Sequence, residues 1–290
     1  LAYVHNAEDQ IRGEAATLAF FSQGQFTNPM VLRVAGLAYQ KGFGGHFHND
    51  NSLAVFRDIP GIVIAVPSNG LDAVKMMRRC VREAHENGRV VVFIEPIALY
   101  MTRDLNQEGD KLWCFDYPTD LNEEIALGEF GIYRSYDESL EKSRPADLTI
   151  LTYGNGTYYS RQATTELVNK YGQNVKVLDL RWLSEVQSAK IAEEIGQSKH
   201  VLVVEECRKT GSFSEFLVSA MVEEFGRKSQ PLPKIKVVAA DDCFIPLGKA
   251  SAAGLPKKEE ILAGALELLG LELASKTQAT SSSKPQGANA

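Results

Sequence analysis

Ile62 to Ile94, IVIAVPSNGLDAVKMMRRCVREAHENGRVVVFI, decides the fold class. The run Ile62 to Val66 is apolar and too short for a helix, and Val90 to Ile94 is a second run of the same kind. Between them Ser68 stands where a helix cap is expected, and Leu71, Val74, Met77 and Val81 recur at helical spacing up to about Asn87. Continuously apolar strands are buried on both faces. Strand, helix, strand in this form predicts an α/β architecture, a parallel sheet with helices on either side.

Toward the amino end, Asn6 to Gln23 places Ile11, Ala15 and Leu18 on one helical face behind Asn6 as cap, and Gly24 ends the helix. Met30 to Val34 predicts a short strand, followed by a Gly-rich loop from Ala38 to Asn51, AYQKGFGGHFHNDN, dense in His, Asn and Asp. Asp104 to Pro145 lacks periodicity and carries the chain across to a second domain, with the boundary near Ser143. Beyond it the alternation restarts. Strands are expected at Leu148–Thr152, Val175–Leu178, Val201–Val204 and Ile235–Ala239, with helices at Tyr158–Tyr171, Ser188–Gly196, Phe213–Phe225 and Lys258–Leu269. The expected organisation is a first domain over 1–143, a second over 144–272, and a polar tail, 273–290, too hydrophilic to pack.

The net charge of −6 and pI near 5.5 argue against nucleic acid, whose phosphates are bound by clustered Lys and Arg. No apolar run reaches the ~20 residues that span a bilayer, and the start lacks the regions of a signal peptide. Cys80, Cys114, Cys207 and Cys243 form no CxxC pair and no disulfide framework, which makes a cytoplasmic setting the expectation. The chain opens on Leu1, so a trimmed product or a piece of something longer is expected.

Chemistry concentrates in Gly44 to Ser52, GGHFHNDNS, and three explanations compete there. In an extended loop His46, His48 and Asp50 would project to one side as metal ligands. An imidazole, titrating near neutrality, could serve in proton transfer. Or the side chains cap the helix after Ser52 and bond the loop backbone. Tyr153 to Thr157, YGNGT, with Asp179 beyond it, imitates part of a dinucleotide fingerprint but lacks the third glycine, replaced by Tyr159. Glu205, Glu206 and Arg208 follow a strand, where open sheets present ligands, and read as a solvated charge run. Cys80, between Met77 and Val81, reads as core, and His85 and His200 as solvent-facing.

One family accounts for the order of several short strings. Asp9–Gly24 (DQIRGEAATLAFFSQG), Pro29–Arg33 (PMVLR), the His loop, Ile59–Ser68 (IPGIVIAVPS) and Phe93–Tyr100 (FIEPIALY) resemble the beta subunit of thiamine-diphosphate-dependent 2-oxo acid dehydrogenases of the transketolase-like superfamily. Asp147–Gly154 (DLTILTYG), Val177–Arg181 (VLDLR), Val203–Glu205 (VVE) and Gly254–Pro256 (GLP) resemble its carboxy-terminal domain, so the likeness covers roughly 1–270. It implies two α/β domains: a pyrimidine-binding-type parallel sheet and a transketolase carboxy-terminal-type sheet. It also implies thiamine diphosphate held between subunits, with the diphosphate and magnesium on an alpha-subunit-like half and the aminopyrimidine on this one. By the same resemblance His48 is the catalytic His facing substrate, Tyr3 is the aromatic residue packed on the aminopyrimidine, and this chain supplies no metal ligand.

The implied activity is oxidative decarboxylation of a 2-oxo acid, pyruvate or a branched-chain one, with acyl transfer to the lipoyl group of a partner acyltransferase. The implied assembly is a homo- or hetero-oligomer, in the cytoplasm or, in a eukaryote, the mitochondrial matrix. Several positions depart from the family. Asn49, Asp50 and Asn51 stand in place of Ser-Gln-Ser, Arg82–Gly88 is longer than the potassium-binding counterpart, and Glu185 replaces a Pro after the DLR motif. The family's Glu that bonds the pyrimidine lies upstream of anything matching Leu1, and Gly109-Asp110 is followed by Lys111 rather than completing a Gly-Asp-Gly. These departures suggest a chain inactive alone. A transketolase or deoxyxylulose-phosphate-synthase-like enzyme and a truncated, non-catalytic interaction module are the alternatives.

Overall fold

In the computed structural model, residues 1–39, 45–48, 50–138, 145–196 and 198–273 are described. The valines at positions 90–92 and Phe93 are buried because their strand, β3 (Val90–Pro96), lies between β1 (Met30–Gly36) and β2 (Val63–Ala65) in an all-parallel sheet ordered β1-β3-β2. Leu32 sits opposite Val92, and Val63 opposite Val91.

The long helix α4 (Gly70–Asn87) follows β2 as expected but differs in two details. Its cap is Asn69, whose side-chain oxygen accepts the Asp72 N–H at 2.9 Å, while Ser68 turns to Asp179. Its buried stripe is Asp72, Met76, Cys80 and Ala84, packed on Val63, Ala65, Val91 and Phe93; Val81 is exposed, and Leu71, Val74 and Met77 are half-buried. An acid heads the true stripe. Asp72 is held inside by Arg181, so counting apolar residues alone selects the wrong face. At the other end Gly88 adopts φ 64°, and its N–H bonds the Ala84 carbonyl.

The expected helix 6–23 is instead a broken rod: a 3₁₀ turn Ala2–Ala7, α1 (Glu8–Gln10), a π turn Ile11–Ala15 and α2 (Thr17–Phe21). Asn6 lies inside the first turn rather than capping a helix, Ile11 and Ala15 are buried, and Leu18 is exposed. The wider π turn rotates α2 about the rod axis, which carries Leu18 off the buried stripe. A short helix α3 (Ala54–Arg57) completes this half.

Every strand and helix expected beyond Leu148 is present. The second sheet is ordered β4-β6-β5-β7-β8, from β4 (Gly131–Arg134), β5 (Leu148–Thr152), β6 (Val175–Asp179), β7 (His200–Arg208) and β8 (Lys234–Ala240). Only β4 runs antiparallel. Helices α5 (Asn155–Tyr171) and α8 (Lys258–Leu269) bury Ala163, Leu167, Ile261 and Ala265 against one face. Helices α6 (Ser188–Ile195) and α7 (Phe213–Arg227) bury Ile191, Leu217 and Met221 with Val201 and Val203 on the other. Ser143, the expected boundary, and residues 274–290 of the expected tail lie outside the described residues. No helix among the described residues is long and apolar enough to cross a membrane.

The two sheets are sewn together. The Val66 N–H bonds the Arg181 carbonyl at 2.7 Å, the Leu183 N–H bonds the Ile64 carbonyl at 3.0 Å, and Ala65 bridges Trp182 antiparallel. One apolar cluster runs from Val92 and Ile94 through Leu151 to Val203.

Candidate functional site

Chain leaving β1 climbs directly onto the carboxyl ends of β5 and β7. Ala38 donates its N–H to Glu206 Oε1 at 3.2 Å, and the Tyr39 hydroxyl donates to the Pro256 carbonyl at 2.6 Å. After the segment 40–44, Gly45 holds φ 46° with its missing Cβ only 2.6 Å from the Pro246 carbonyl, so no larger residue fits there. The His46 N–H then bonds the Ile245 carbonyl at 3.0 Å, and its ring packs on Phe244. Gly45–Phe47 is thus a 3₁₀ turn rather than an extended strand. Of the three side chains, His46 comes within 3.9 Å of Asp50, whereas His48 meets Tyr3 instead. Among the described residues no group of three or more His, Cys, Asp or Glu is arranged to hold a metal ion.

Instead the loop side chains divide. His48 faces the amino-terminal turn, where its Nδ1 lies 3.1 Å from the Tyr3 hydroxyl and the two rings meet edge-on at 5.5 Å between centroids. Two residues on, Asp50 is 1% exposed. Its Oδ1 accepts the Asn51 N–H at 2.8 Å and the Ser52 hydroxyl at 2.9 Å, while Oδ2 lies 3.0 Å from His5 Nε2. The backbone-bonding explanation therefore describes Asp50, and α3 itself has no side-chain cap. His48 is left at the rim beside a Tyr3 ring that is 65% exposed.

The acids near the carboxyl end of β7 are not solvated. Glu205 and Glu206 are each 1% exposed, a correction to the charge-run reading, because a bulge between Glu205 and Arg208 lets strand and acids enter the seam together. Glu206 accepts from both directions: Asn155 Nδ2 lies 3.0 and 2.9 Å from its two oxygens, opposite the Ala38 N–H. Burial pushes its carboxyl up to about 8. Glu205 accepts the Tyr153 hydroxyl; it also accepts the N–H groups of Cys207 and Ser214, both at 3.0 Å, and burial raises it too. Arg208 reaches back over the loop, Nη1 to Asn51 Oδ1 at 3.2 Å and Nη2 to the Ser52 hydroxyl, with Asp50 Oδ1 at 3.7 Å.

The YGNGT turn is explained by packing. A Cβ on Gly156 would lie 2.1 Å from Thr152 Oγ1, Asn155 is spent on Glu206, and Asp179 is fully buried against Ser68 with its carboxyl raised by burial and by Asp72. Cys80 is core, its thiol pushed up to about 12 by burial. His85 is exposed, whereas His200 is half-buried with Nδ1 3.0 Å from the Asp147 carbonyl. A cleft of about 690 Å³ lies elsewhere, between α4, the end of β3 and Trp113, and takes no lining residue from the His48 loop or residues 1–5. The cleft and the His48 loop are separate places: Arg33, Glu95 and Tyr100 line the cleft, whereas Tyr3, His5, His48 and Asp50 meet at the loop.

Sequence reading singled out Tyr3, His48, Glu205, Glu206 and Arg208 and missed His5. The signal for His5 is positional: Tyr3 with His48 and His5 with Asp50 share one sequence separation of 45 residues. That separation has no meaning until one of the two contacts is known.

Known proteins resemble the chain in sequence and fold. Residues 138–251 match the family model of the transketolase C-terminal domain. The chain is 31% identical over 223 residues to the chloroplastic pyruvate dehydrogenase E1 component subunit beta-3 of Arabidopsis thaliana, covering 76% of this chain and 47% of that one. It is 27% identical over 272 residues to the pyruvate dehydrogenase E1 component subunit beta of Bacillus subtilis, covering 92% and 73%. With the 2-oxoisovalerate dehydrogenase subunit beta of Pseudomonas aeruginosa it shares 28% over 240 residues, covering 80% and 63%. The chain spans about half the length of the chloroplast relatives, 47–49%. A split-gene transketolase, solved as an inactive beta4 tetramer, superposes with a TM-score of 0.57 at 16% identity over 89% of this chain and 75% of that one, a likeness of fold. The two-domain α/β fold is transketolase-like, and the chain resembles dehydrogenase beta subunits.

Proposed function

We propose that this chain is the beta-subunit part of the decarboxylating component of a 2-oxo acid dehydrogenase complex, working with an alpha-subunit-like half on thiamine diphosphate. What supports the reading above all is the 3.1 Å contact between Tyr3 and His48, two residues that the family resemblance assigned separately to cofactor and substrate.

The residues present suit one side of that cofactor. Tyr3 offers an exposed ring against which a flat heteroaromatic can stack, and the imidazole beside it offers a polar atom at the same rim. Thiamine diphosphate supplies the electron sink for losing carbon dioxide, which side chains lack. The diphosphate and its magnesium fall to the partner half. Within this chain the work is positional and electrostatic: His48 holds a proton at the rim and steadies the substrate carboxylate or the lipoyl thiolate as charge moves. Tyr3, through its hydroxyl, fixes which imidazole nitrogen faces outward. The acyl acceptor is the lipoyl group of a partner acyltransferase, and the compartment is the cytoplasm or, in a eukaryote, the mitochondrial matrix.

The test is oxidative decarboxylation by the chain combined with its alpha-like half, thiamine diphosphate and magnesium, reported by an artificial electron acceptor. Pyruvate, branched-chain 2-oxo acids and 2-oxoglutarate form the panel. Turnover of one of them is expected. Activity on ketose phosphates with none on the panel moves the assignment to the transketolase branch. Replacing His48 with Ala is expected to abolish acyl transfer more than cofactor binding, and equal loss of both overturns its proposed role.

A further inference from the structure

We propose that Asp50 is the positioning residue for His48, acting through a pair of parallel rungs that lock the His loop to the amino-terminal turn and, through Arg208, to the second domain. The inference rests on the catalytic reading of His48 and adds what aims its ring.

Two contacts form the rungs. Tyr3 meets His48 and His5 meets Asp50, at 3.1 and 3.0 Å, so two segments run side by side with a two-residue step on each. The first rung is exposed and by itself weak, since a hydroxyl-to-imidazole bond in water competes with solvent. The second is anchored. Asp50 is 1% exposed, and each of its oxygens is committed: Oδ1 to the Asn51 N–H and Ser52 hydroxyl, Oδ2 to His5. A carboxylate so enclosed needs positive charge or donors on every side, and Arg208 supplies the charge from the end of β7, with Nη1 at 3.7 Å. Arg208 also grips Asn51 and Ser52, the next two residues of the loop. His5 stacks on Phe56 at 6.2 Å and 13° between planes, which fixes the ring that Asp50 holds.

Three parts of the chain therefore converge on one carboxylate. His5 and Tyr3 stand two residues apart in the turn Ala2–Ala7, so the seat that Asp50 gives His5 also sets the Tyr3 hydroxyl that meets the imidazole. A displacement of about 1 Å at a reacting group can cost ~100-fold in rate, so this seat decides activity without touching substrate.

The first arm uses the 290-residue chain alone and long-range proton–nitrogen NMR of its histidines. Tyr3→Phe identifies the His48 signal, and Asp50→Asn is expected to move the His48 nitrogens in the same direction, with the circular dichroism of the fold unchanged. If Asp50→Asn fails to fold, His5→Leu carries the same test, and His5→Gln, which restores a donor at similar reach, is expected to return the His48 signals toward their original positions. An unchanged His48 spectrum in the Asp50→Asn chain, or in the His5→Leu chain where that one is used, overturns the proposal.

The second arm is turnover with the alpha-like half. Asp50→Asn is expected to lower kcat by about 10–100-fold with KM for the 2-oxo acid held within ~3-fold. Undiminished kcat in Asp50→Asn, where His48→Gln abolishes turnover, also overturns it. Undiminished kcat in His48→Gln instead overturns the catalytic reading of His48, and so the two failures are told apart.

Discussion

The five-stranded sheet carries its own cover, α5 with α8 on one face and α6 with α7 on the other, whereas the three-stranded sheet has a single long helix, α4, on one face. Its other face is closed by the broken rod of residues 2–21, by α3, and by apolar residues shared with the second domain. The first half therefore borrows its closure. Polar groups that would face solvent in a self-sufficient domain are trapped in the seam: Asp72 with Arg181, Ser68 with Asp179, Glu206 with Asn155 and Ala38, Asp50 with Arg208. Buried polar groups are tolerated only when paired, so the seam is both the joint between the halves and the place where chemistry collects.

Substitutions can break this contrast at different depths. The largest expected effect is on Glu206. A carboxyl raised from 4.5 to about 8 in the fold binds its proton more tightly folded than unfolded, so its contribution to stability is full below about 4.5 and is lost as pH rises through 8. At about 1.4 kcal/mol per pH unit the window amounts to on the order of 5 kcal/mol. Glu206→Gln, neutral throughout, is expected to flatten the fall in Tm between pH 5 and 8, and an equal slope in the two proteins defeats the claim. Next comes the joint itself: Arg181→Met strands Asp72 beside Asp179 and is expected to cost about 3–5 kcal/mol in denaturant unfolding, with Asp72→Leu added in the same chain recovering part of it.

Within the first half, Met76→Ala is expected to cost about 2–5 kcal/mol and Met77→Ala no more than ~1, since only the former is fully enclosed. A reversed order in the two melting curves would restore the face read from apolar spacing. Below Met76→Ala comes Gly45→Ala, which drives a Cβ toward the Pro246 carbonyl and is expected to cost about 1–3 kcal/mol while exposing the 45–48 turn to proteolysis.

The same contrast governs how legible each half is in the sequence. Beyond Leu148 each strand packs on helices close by in the chain, so local runs such as Leu148–Thr152 and local periodicity such as Lys258–Leu269 report the fold directly. In the first half the decisive partners are distant. Asp72 looks like a surface acid until Arg181 is known to reach it, and the π turn at Ile11–Ala15 shifts the stripe to which spacing assigns Leu18. Glu205 and Glu206 look solvated in a charged string, and only the bulge and the descending loop enclose them. Tyr3 and His48 are legible through family likeness, whereas His5 acquires meaning only from geometry.

The equal offset of the two rungs is also a constraint on how such chains can diverge. Insertions and deletions between residues 5 and 48 leave both contacts possible, because a loop of altered length can still deliver the two ends. A single insertion between 3 and 5, or between 48 and 50, throws one rung out of step with the other. In related sequences length variation should therefore fall between the paired dipeptide steps and spare them, and positions 5 and 50 should change together, as a lock and key recut at the same time.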